Sequence, residues 1–247
     1  MKSDAVKTPL TAELRTLWQM ARGAGHGGSH AERLERFYRP QAGHYDSFRE
    51  KLLHGRQELV ELLDPPEGAV VIELGAGTGR NAEYFGERLL DFHHVELVDL
   101  CPALLEQARR RWALQPRVRI IEADATGYQP LQAADCVYFS YALTMMPQWR
   151  AALDNALAML KPGGLLGVVD FGLPRGDCLA DRCACEFWRR WFAHDGVRLD
   201  RAHIDTLQQL TETRVLREST AALPYLPGLR MPYYLYLGRK PLTGNPS

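Results

Sequence analysis

Ala69-Val-Val-Ile-Glu-Leu-Gly-Ala-Gly-Thr-Gly79 is a short apolar run that stops at three glycines spaced two apart. A run of this length, rich in β-branched residues and closed by glycine, predicts a buried strand over 69–74. A glycine turn after such a strand lets a ligand come close to the backbone, because no side chain stands in the way. The N–H groups that open the next helix are then available to it. The spacing here is G-x-G-x-G, at 75, 77 and 79. The dinucleotide fingerprint G-x-G-x-x-G requires a glycine at 80, where this chain has Arg80. Alone, the glycine pattern is a weak signal, and its surroundings give it meaning.

Downstream, the pattern predicts a helix over 81–90, a strand over 94–98, a helix over 103–112 behind Pro102, and strands over 117–122 and 134–139. A helix over 149–160, ended by Lys161-Pro-Gly-Gly164, leads into a fifth strand over 165–171. Alternating strands and helices imply parallel pairing in a doubly wound α/β sheet. The strand runs are apolar on both faces, as a sheet covered on both sides requires. The tail predicts helices over 186–192 and 203–210, then strands over 214–219 and 233–237. Upstream, helices are expected over 11–22, 31–38 and 47–63, with a flexible break, GAGHGGS, at 23–29. Leu52, Leu53, Leu59, Leu62 and Leu63 stripe the third, and Asp64-Pro-Pro-Glu-Gly68 ends it. The expected organisation is an N-terminal helical extension, 1–64, and one α/β domain, 65–240.

The chain has 247 residues, 46% hydrophobic and 24% charged, the profile of a globular protein with a sizeable core. Thirty basic side chains balance thirty acidic ones, so there is no basic excess to favour a nucleic-acid partner. No window approaches the roughly 18 apolar residues of a membrane span, and the N-terminus has no apolar core of signal-peptide length. A cytoplasmic chain is expected. Its five cysteines are expected as free thiols; the C-x-C pair Cys183 and Cys185 matches no common zinc spacing, and no metal is expected.

Three acids fall at strand ends. Glu73 sits two residues before the first glycine, Asp99 ends the second strand, and Glu122-Ala-Asp124 ends the third. An acid at 73 repels a pyrophosphate and attracts an ammonium. A carboxylate at 99 can accept ribose hydroxyls, as in dinucleotide folds, and can also cap the next helix. Asp124 suits an adenine amino group or a solvated loop, and Glu122 is expected to face outward. All three converge on the crevice where α/β sheets bind ligands. VIELGAGTGRN, VELVDL, EADAT and LKPGGLLGVVDF together resemble the class I S-adenosylmethionine methyltransferases over about residues 65–172. That resemblance implies a Rossmann-like, mostly parallel seven-stranded sheet, S-adenosylmethionine as cofactor and S-adenosylhomocysteine as product. It implies that Glu73, Gly75 and Gly77 hold the methionine moiety, Asp99 with Leu100 beside it the ribose, and Asp124 with Ala125 the adenine. Ser140 and Tyr141 would line the methyl-donor end.

The acceptor half is read from Ser140-Tyr-Ala-Leu-Thr-Met-Met-Pro-Gln-Trp149. Tyr141 and Trp149 could face a cation through their rings, or Met145, Met146 and Trp149 could be core residues. No N-P-P-F or N-P-P-Y tetrad follows the fourth strand, which argues against DNA or protein-amide methylation. The helix Glu186-Phe-Trp-Arg-Arg-Trp-Phe192 groups Phe187, Trp188, Trp191 and Phe192, suiting a membrane interface, a lid or a packed face. The proline- and aromatic-rich loop 223–234 could shape the pocket. YDSFREKLLHGR (45–56), FSYALTMMPQWRAALDNALAMLKPGG and PYYLYLGRK resemble the N-methyltransferases of betaine-lipid synthesis over about residues 37–240. That resemblance implies trimethylation of the amine of diacylglyceryl-homoserine to diacylglyceryl-trimethylhomoserine. It implies an amine-bearing lipid substrate and transient, peripheral contact with the inner face of the membrane or with an upstream lipid-synthesis enzyme. Tyr45 and Arg56 would reach the methionine carboxylate, or be ordinary helix-surface groups. Candidate bases for the attacking amine are Tyr141, His44 and Asp170. Alternatives are methylation of a small soluble amine or quinone-type acceptor, a non-catalytic S-adenosylmethionine-binding accessory protein, and an oxidoreductase, which Arg80 disfavours.

Overall fold

The computed structural model describes residues 52–174, 185–190, 199–223 and 229–242. Seven strands form one sheet: β1 (Val70–Leu74), β2 (His94–Asp99), β3 (Val118–Glu122), β4 (Ala134–Ser140), β5 (Leu160–Phe171), β6 (Glu212–Ala222) and β7 (Arg230–Arg239). Their order is β3-β2-β1-β4-β5-β7-β6. The first five strands pair in parallel, and β7 runs antiparallel to both of its neighbours. The fold is therefore the expected Rossmann-like, seven-stranded, mostly parallel sheet. Strand order reverses between β1 and β4, so the loops leaving those strands part in opposite directions and a crevice opens at their carboxyl ends.

Strand alternation sends successive side chains to opposite faces, and each face carries its own core. Val71, Val95, Leu97, Cys136, Tyr138, Val169 and Phe171 face one side. There they meet Leu59, Val60 and Leu63 of α1 (Arg56–Leu63) and Ala82, Phe85 and Leu89 of the 3₁₀ segment Arg80–Leu90. Ile72, Leu74, Val98, Val137, Phe139 and Val168 face the other side, against α3 (Trp149–Met159) and α4 (Ala202–Leu210). Between these, α2 (Pro102–Arg111) follows β2 with proline at its start and three arginines in its last turn. Burial of each such aliphatic side chain stabilises by about 1.5–3 kcal/mol. Among the described residues no helix is long and apolar enough to cross a membrane.

Several expectations are corrected. The helix expected over 47–63 is interrupted. Leu52 is helical, the helix breaks over 53–55, and α1 resumes it at Arg56, because Gly55 adopts a left-handed φ of 79° and lies against the ring of Tyr233. The 81–90 helix is a 3₁₀ segment broken at Gly86, where φ is 57°. Lys161-Pro-Gly-Gly164 lies inside β5, where Gly163 N–H donates to Lys240 O and Lys240 N–H to Gly164 O. The last two strands exceed their apolar cores, since backbone pairing continues through residues whose side chains face solvent. β3 and β6, at the sheet edges, are not apolar on both faces. The helices expected over 11–22 and 31–38, with the break between them, lie outside the described residues.

Candidate cofactor and acceptor site

The glycine loop is tied back onto β2: the N–H groups of Gly75 and Ala76 both donate to Val98 O, at 2.8 and 3.0 Å. Gly75 has φ 76°, and a Cβ there would collide with the Ala142 side chain, so only glycine lets the loop approach the end of β4. Gly77, φ 57°, is buried, yet a Cβ there would meet nothing closer than Leu104 Cδ1 at 3.8 Å, so the chain leaves space beside its backbone. Asp99, half-buried, accepts from Gly77 N–H and from Cys101 N–H, each at 2.8 Å. It braces the loop and holds the residue before α2, but it is not the expected helix cap: Cys101 takes the N-cap position and no side chain caps the helix. Leu100 beside Asp99 is half-buried. Asp124 is exposed and accepts from Thr126 N–H and Oγ1–H, while Ala125 is buried. Asn155 of α3 pins this segment by donating to the carbonyls of Ala125 and Tyr128. Glu122 points outward, as expected.

Glu73 requires a correction. Its carboxylate has no exposed surface. Oε1 accepts from Asn81 Nδ2 at 2.6 Å and Oε2 from Tyr138 OH at 2.9 Å. Asn81 Oδ1 in turn accepts from Arg56 Nη1 at 3.2 Å, and Arg56 Nε donates to Leu53 O. Burial pushes the Glu73 carboxyl up to about 7, against the opposing effects of Asn81, Tyr138 and Arg56. Glu73 thus lies inside a buried network behind the loop instead of lining the crevice. Arg56, read as a ligand or a surface residue, is 7% exposed and belongs to that network. Nothing in the sequence marks Asn81 or Tyr138. Only their pairing across 8 and 65 residues identifies them.

At the end of β4, Ser140 Oγ is buried on the Glu73 face, with no hydrogen-bond partner among the described residues. Tyr141 follows in a left-handed conformation, φ 53°, rare for a residue with a side chain and a mark of local strain. Its OH donates to His54 O at 2.8 Å and its ring stands edge-on to Phe171 at 4.7 Å. Burial and the charge of Asp170 hold its phenol well above the usual range, so it stays protonated and does not fit the role of base. Asp170 does not fit either. It is fully buried on the opposite face, accepting from Thr144 N–H at 3.0 Å, Thr144 Oγ1–H at 2.6 Å and Phe171 N–H at 2.8 Å. Burial pushes it up to about 6. His44 and Tyr45 lie outside the described residues.

Trp149 also lies on the opposite face, its ring 4.3 Å from His203 and under the Arg150 guanidinium at 4.2 Å. It is a core residue and forms no cage with Tyr141. Of the aromatic group at 186–192, residues 185–190 are helical. Trp188 is 3% exposed and belongs to the same buried cluster as Tyr141 and Phe171, whereas Phe187 is 43% exposed, so the two do not share one face. Trp191 and Phe192 lie outside the described residues. Near the ends of β5 and β7 the structure instead brings in exposed His54, its ring 6.3 Å from that of half-buried Tyr233.

The residues fit an amino-acid-bearing nucleoside: a buried hydroxyl at Ser140 with no partner among the described residues, space beside the Gly77 backbone, and a half-buried carboxylate at the end of β2. Residues 71–164 match the methyltransferase domain family. The chain is 31% identical over 124 residues to the trans-aconitate 2-methyltransferase of Methylobacterium radiotolerans, covering 50% of this chain and 46% of that one. It is 34% identical over 112 residues to the demethylmenaquinone methyltransferase of Clavibacter sepedonicus, covering 44% of each. The match thus spans about half the length of these curated relatives. The fold is similar to that of the N-methyltransferase NodS from Bradyrhizobium japonicum in complex with S-adenosylhomocysteine. The TM-score is 0.58 at 18% identity, over 78% of this chain and 87% of that one. The described domain has the fold of the class I S-adenosylmethionine-dependent methyltransferases, and its residues 71–164 carry the similarity to the methyltransferase domain family. S-adenosylmethionine is the cofactor of that class.

Proposed function

We propose that the protein transfers methyl groups from S-adenosylmethionine to the amine of a lipid headgroup, diacylglyceryl-homoserine, in up to three successive steps. The observation that carries the methyltransferase reading is the glycine loop at the β1–β4 switch point, with space beside Gly77 and braced by Asp99. When bound, S-adenosylmethionine supplies an electrophilic methyl on a sulfonium. The amine lone pair takes that methyl as the carbon–sulfur bond breaks, its electrons remaining on sulfur. The protein's part is alignment and exclusion of water. Gly75 and Gly77 admit the ligand to the backbone, Asp99 suits the ribose hydroxyls, and Asp124 with Ala125 the adenine. Ser140 offers a hydroxyl at the donor end. Tyr141, Phe171 and Trp188 supply an apolar wall, which suits a substrate with an apolar body. Each of the three transfers requires that the nitrogen first lose an ammonium proton to free its lone pair, and the last leaves a quaternary ammonium with none to lose. A lipid acceptor carries with it transient contact with a membrane surface or with the enzyme that makes the lipid.

The test incubates pure protein with methyl-labelled S-adenosylmethionine and diacylglyceryl-homoserine and resolves mono-, di- and trimethylated lipid. Label confined to water-soluble products would overturn the lipid acceptor and leave methyl transfer standing. The demethylmenaquinone methyltransferase relative favours a second reading, carbon methylation of a quinone precursor. A demethylated quinone in a parallel reaction distinguishes it.

A further inference from the structure

We infer that Asn81 is a positioning residue for the amino-acid end of the cofactor: its amide ties Arg56 of α1 to Glu73 of β1, so that a cation and an anion are held in register behind the glycine loop. The inference rests on the S-adenosylmethionine reading of that loop. Asn81 enters the 3₁₀ segment two residues after Gly79, and its side chain is buried between two charged groups, hydrogen-bonded to both. Its Oδ1 accepts from Arg56 at 3.2 Å and its Nδ2 donates to Glu73 at 2.6 Å. Only this amide orientation works, since the reverse would turn NH₂ toward a guanidinium and carbonyl toward a carboxylate. An ionised carboxylate or a hydrocarbon side chain of the same size cannot accept from the cation and donate to the anion at once. Tyr138 of β4 donates to the second Glu73 oxygen, and the ring of Tyr84 lies 5.8 Å from the Arg56 guanidinium. The unit therefore draws on α1, β1, the 3₁₀ segment and β4.

The methionine end of the cofactor is a zwitterion. An arginine suits its carboxylate as a bidentate fork, and a nearby acid raises the local preference for its ammonium. The Glu73 carboxylate is sealed from the crevice, so its charge reaches the ligand through the groups it aligns. A residue acting this way affects only ligands that possess the amino-acid end.

Titration calorimetry with S-adenosylhomocysteine and with 5′-methylthioadenosine, which has the same nucleoside but no amino-acid end, tests this. Asn81→Ala is expected to weaken S-adenosylhomocysteine about tenfold or more, the scale of a lost hydrogen bond to a buried charge, and 5′-methylthioadenosine less than about threefold. Asn81→Asp, nearly isosteric, is expected to give the same selective loss and covers the case in which the alanine variant fails to fold. Equal loss for both ligands, or no loss for either, would overturn the positioning role. Wild-type protein that binds neither ligand would overturn the cofactor reading itself.

Discussion

Glu73 and Asp170 are both fully buried carboxylates near the carboxyl ends of neighbouring parts of one sheet, yet they face opposite cores. Both are pushed upward by burial, to about 7 and about 6. Their partners differ. Asp170 is surrounded by its own chain's turn: Thr144 supplies two donors and Phe171 a third, which fixes the connection between β4 and α3. Glu73 accepts only side chains, from Asn81 and Tyr138, and through Asn81 it is coupled to a buried arginine from α1. Burial of an acid therefore does not itself mark a ligand site. An acid whose partners are backbone groups and a local hydroxyl holds a loop. An acid whose partners are side chains gathered from distant elements, behind a glycine loop, belongs to a recognition unit.

The contrast is broken most severely if Glu73→Gln leaves cofactor affinity intact. The expected loss for S-adenosylhomocysteine is on the order of a hundredfold, about 2.7 kcal/mol, by calorimetry. The same substitution should stabilise the ligand-free protein at high pH. Glu73 has a folded value above its unfolded one, so its favourable contribution is complete below about 4.5 and is lost as pH rises through about 7. Wild-type melting temperature should therefore fall relative to Glu73→Gln between those values, and parallel melting curves across that window would contradict the assignment.

Asp170→Asn should do the reverse. It places an amide against Thr144 and Phe171 donors and should cost about 2–4 kcal/mol of stability in denaturant unfolding, with cofactor affinity changed less than about threefold. A large affinity loss at unchanged stability would restore Asp170 as a site residue. Smaller still is Tyr141→Phe, which leaves His54 O unpaired and should cost about 1 kcal/mol. Its pH–rate profile should keep the wild-type alkaline limb, and loss of that limb would return Tyr141 to the role of base. Ser140→Ala should change ligand-free stability by less than about 1 kcal/mol, because its hydroxyl has no partner to lose among the described residues, while weakening S-adenosylhomocysteine a few-fold.

The donor half was legible because its parts are local. A strand, a glycine turn and the acid at the next strand end follow one another in sequence, and alternation predicts their arrangement. That order placed Asp99 beside the glycine loop, while its bond from Gly77 N–H emerges only in the structure. The Glu73 network was only half legible, since its acid lies in the motif but Asn81 and Tyr138 reach it by strand pairing and helix packing. The acceptor end was misread where one stretch, 140–149, was taken as one surface. The connection crosses the sheet edge, leaving Tyr141 on one face and Trp149 on the other. Asp170 was misread for the same reason, because an acid at a strand end faces the ligand or the opposite core by a one-residue alternation.

The most direct test of the account is the titration of S-adenosylhomocysteine into wild type and Gly77→Ala. The added methyl group would meet only Leu104, at ordinary contact distance, while occupying backbone that the ligand needs. The left-handed φ costs about 1 kcal/mol, too little to unfold a domain of this size. The account predicts one-to-one binding by wild type and at least a tenfold weaker isotherm for a variant that remains folded by circular dichroism. Equal affinity for the two proteins, or no binding by wild type, would contradict it.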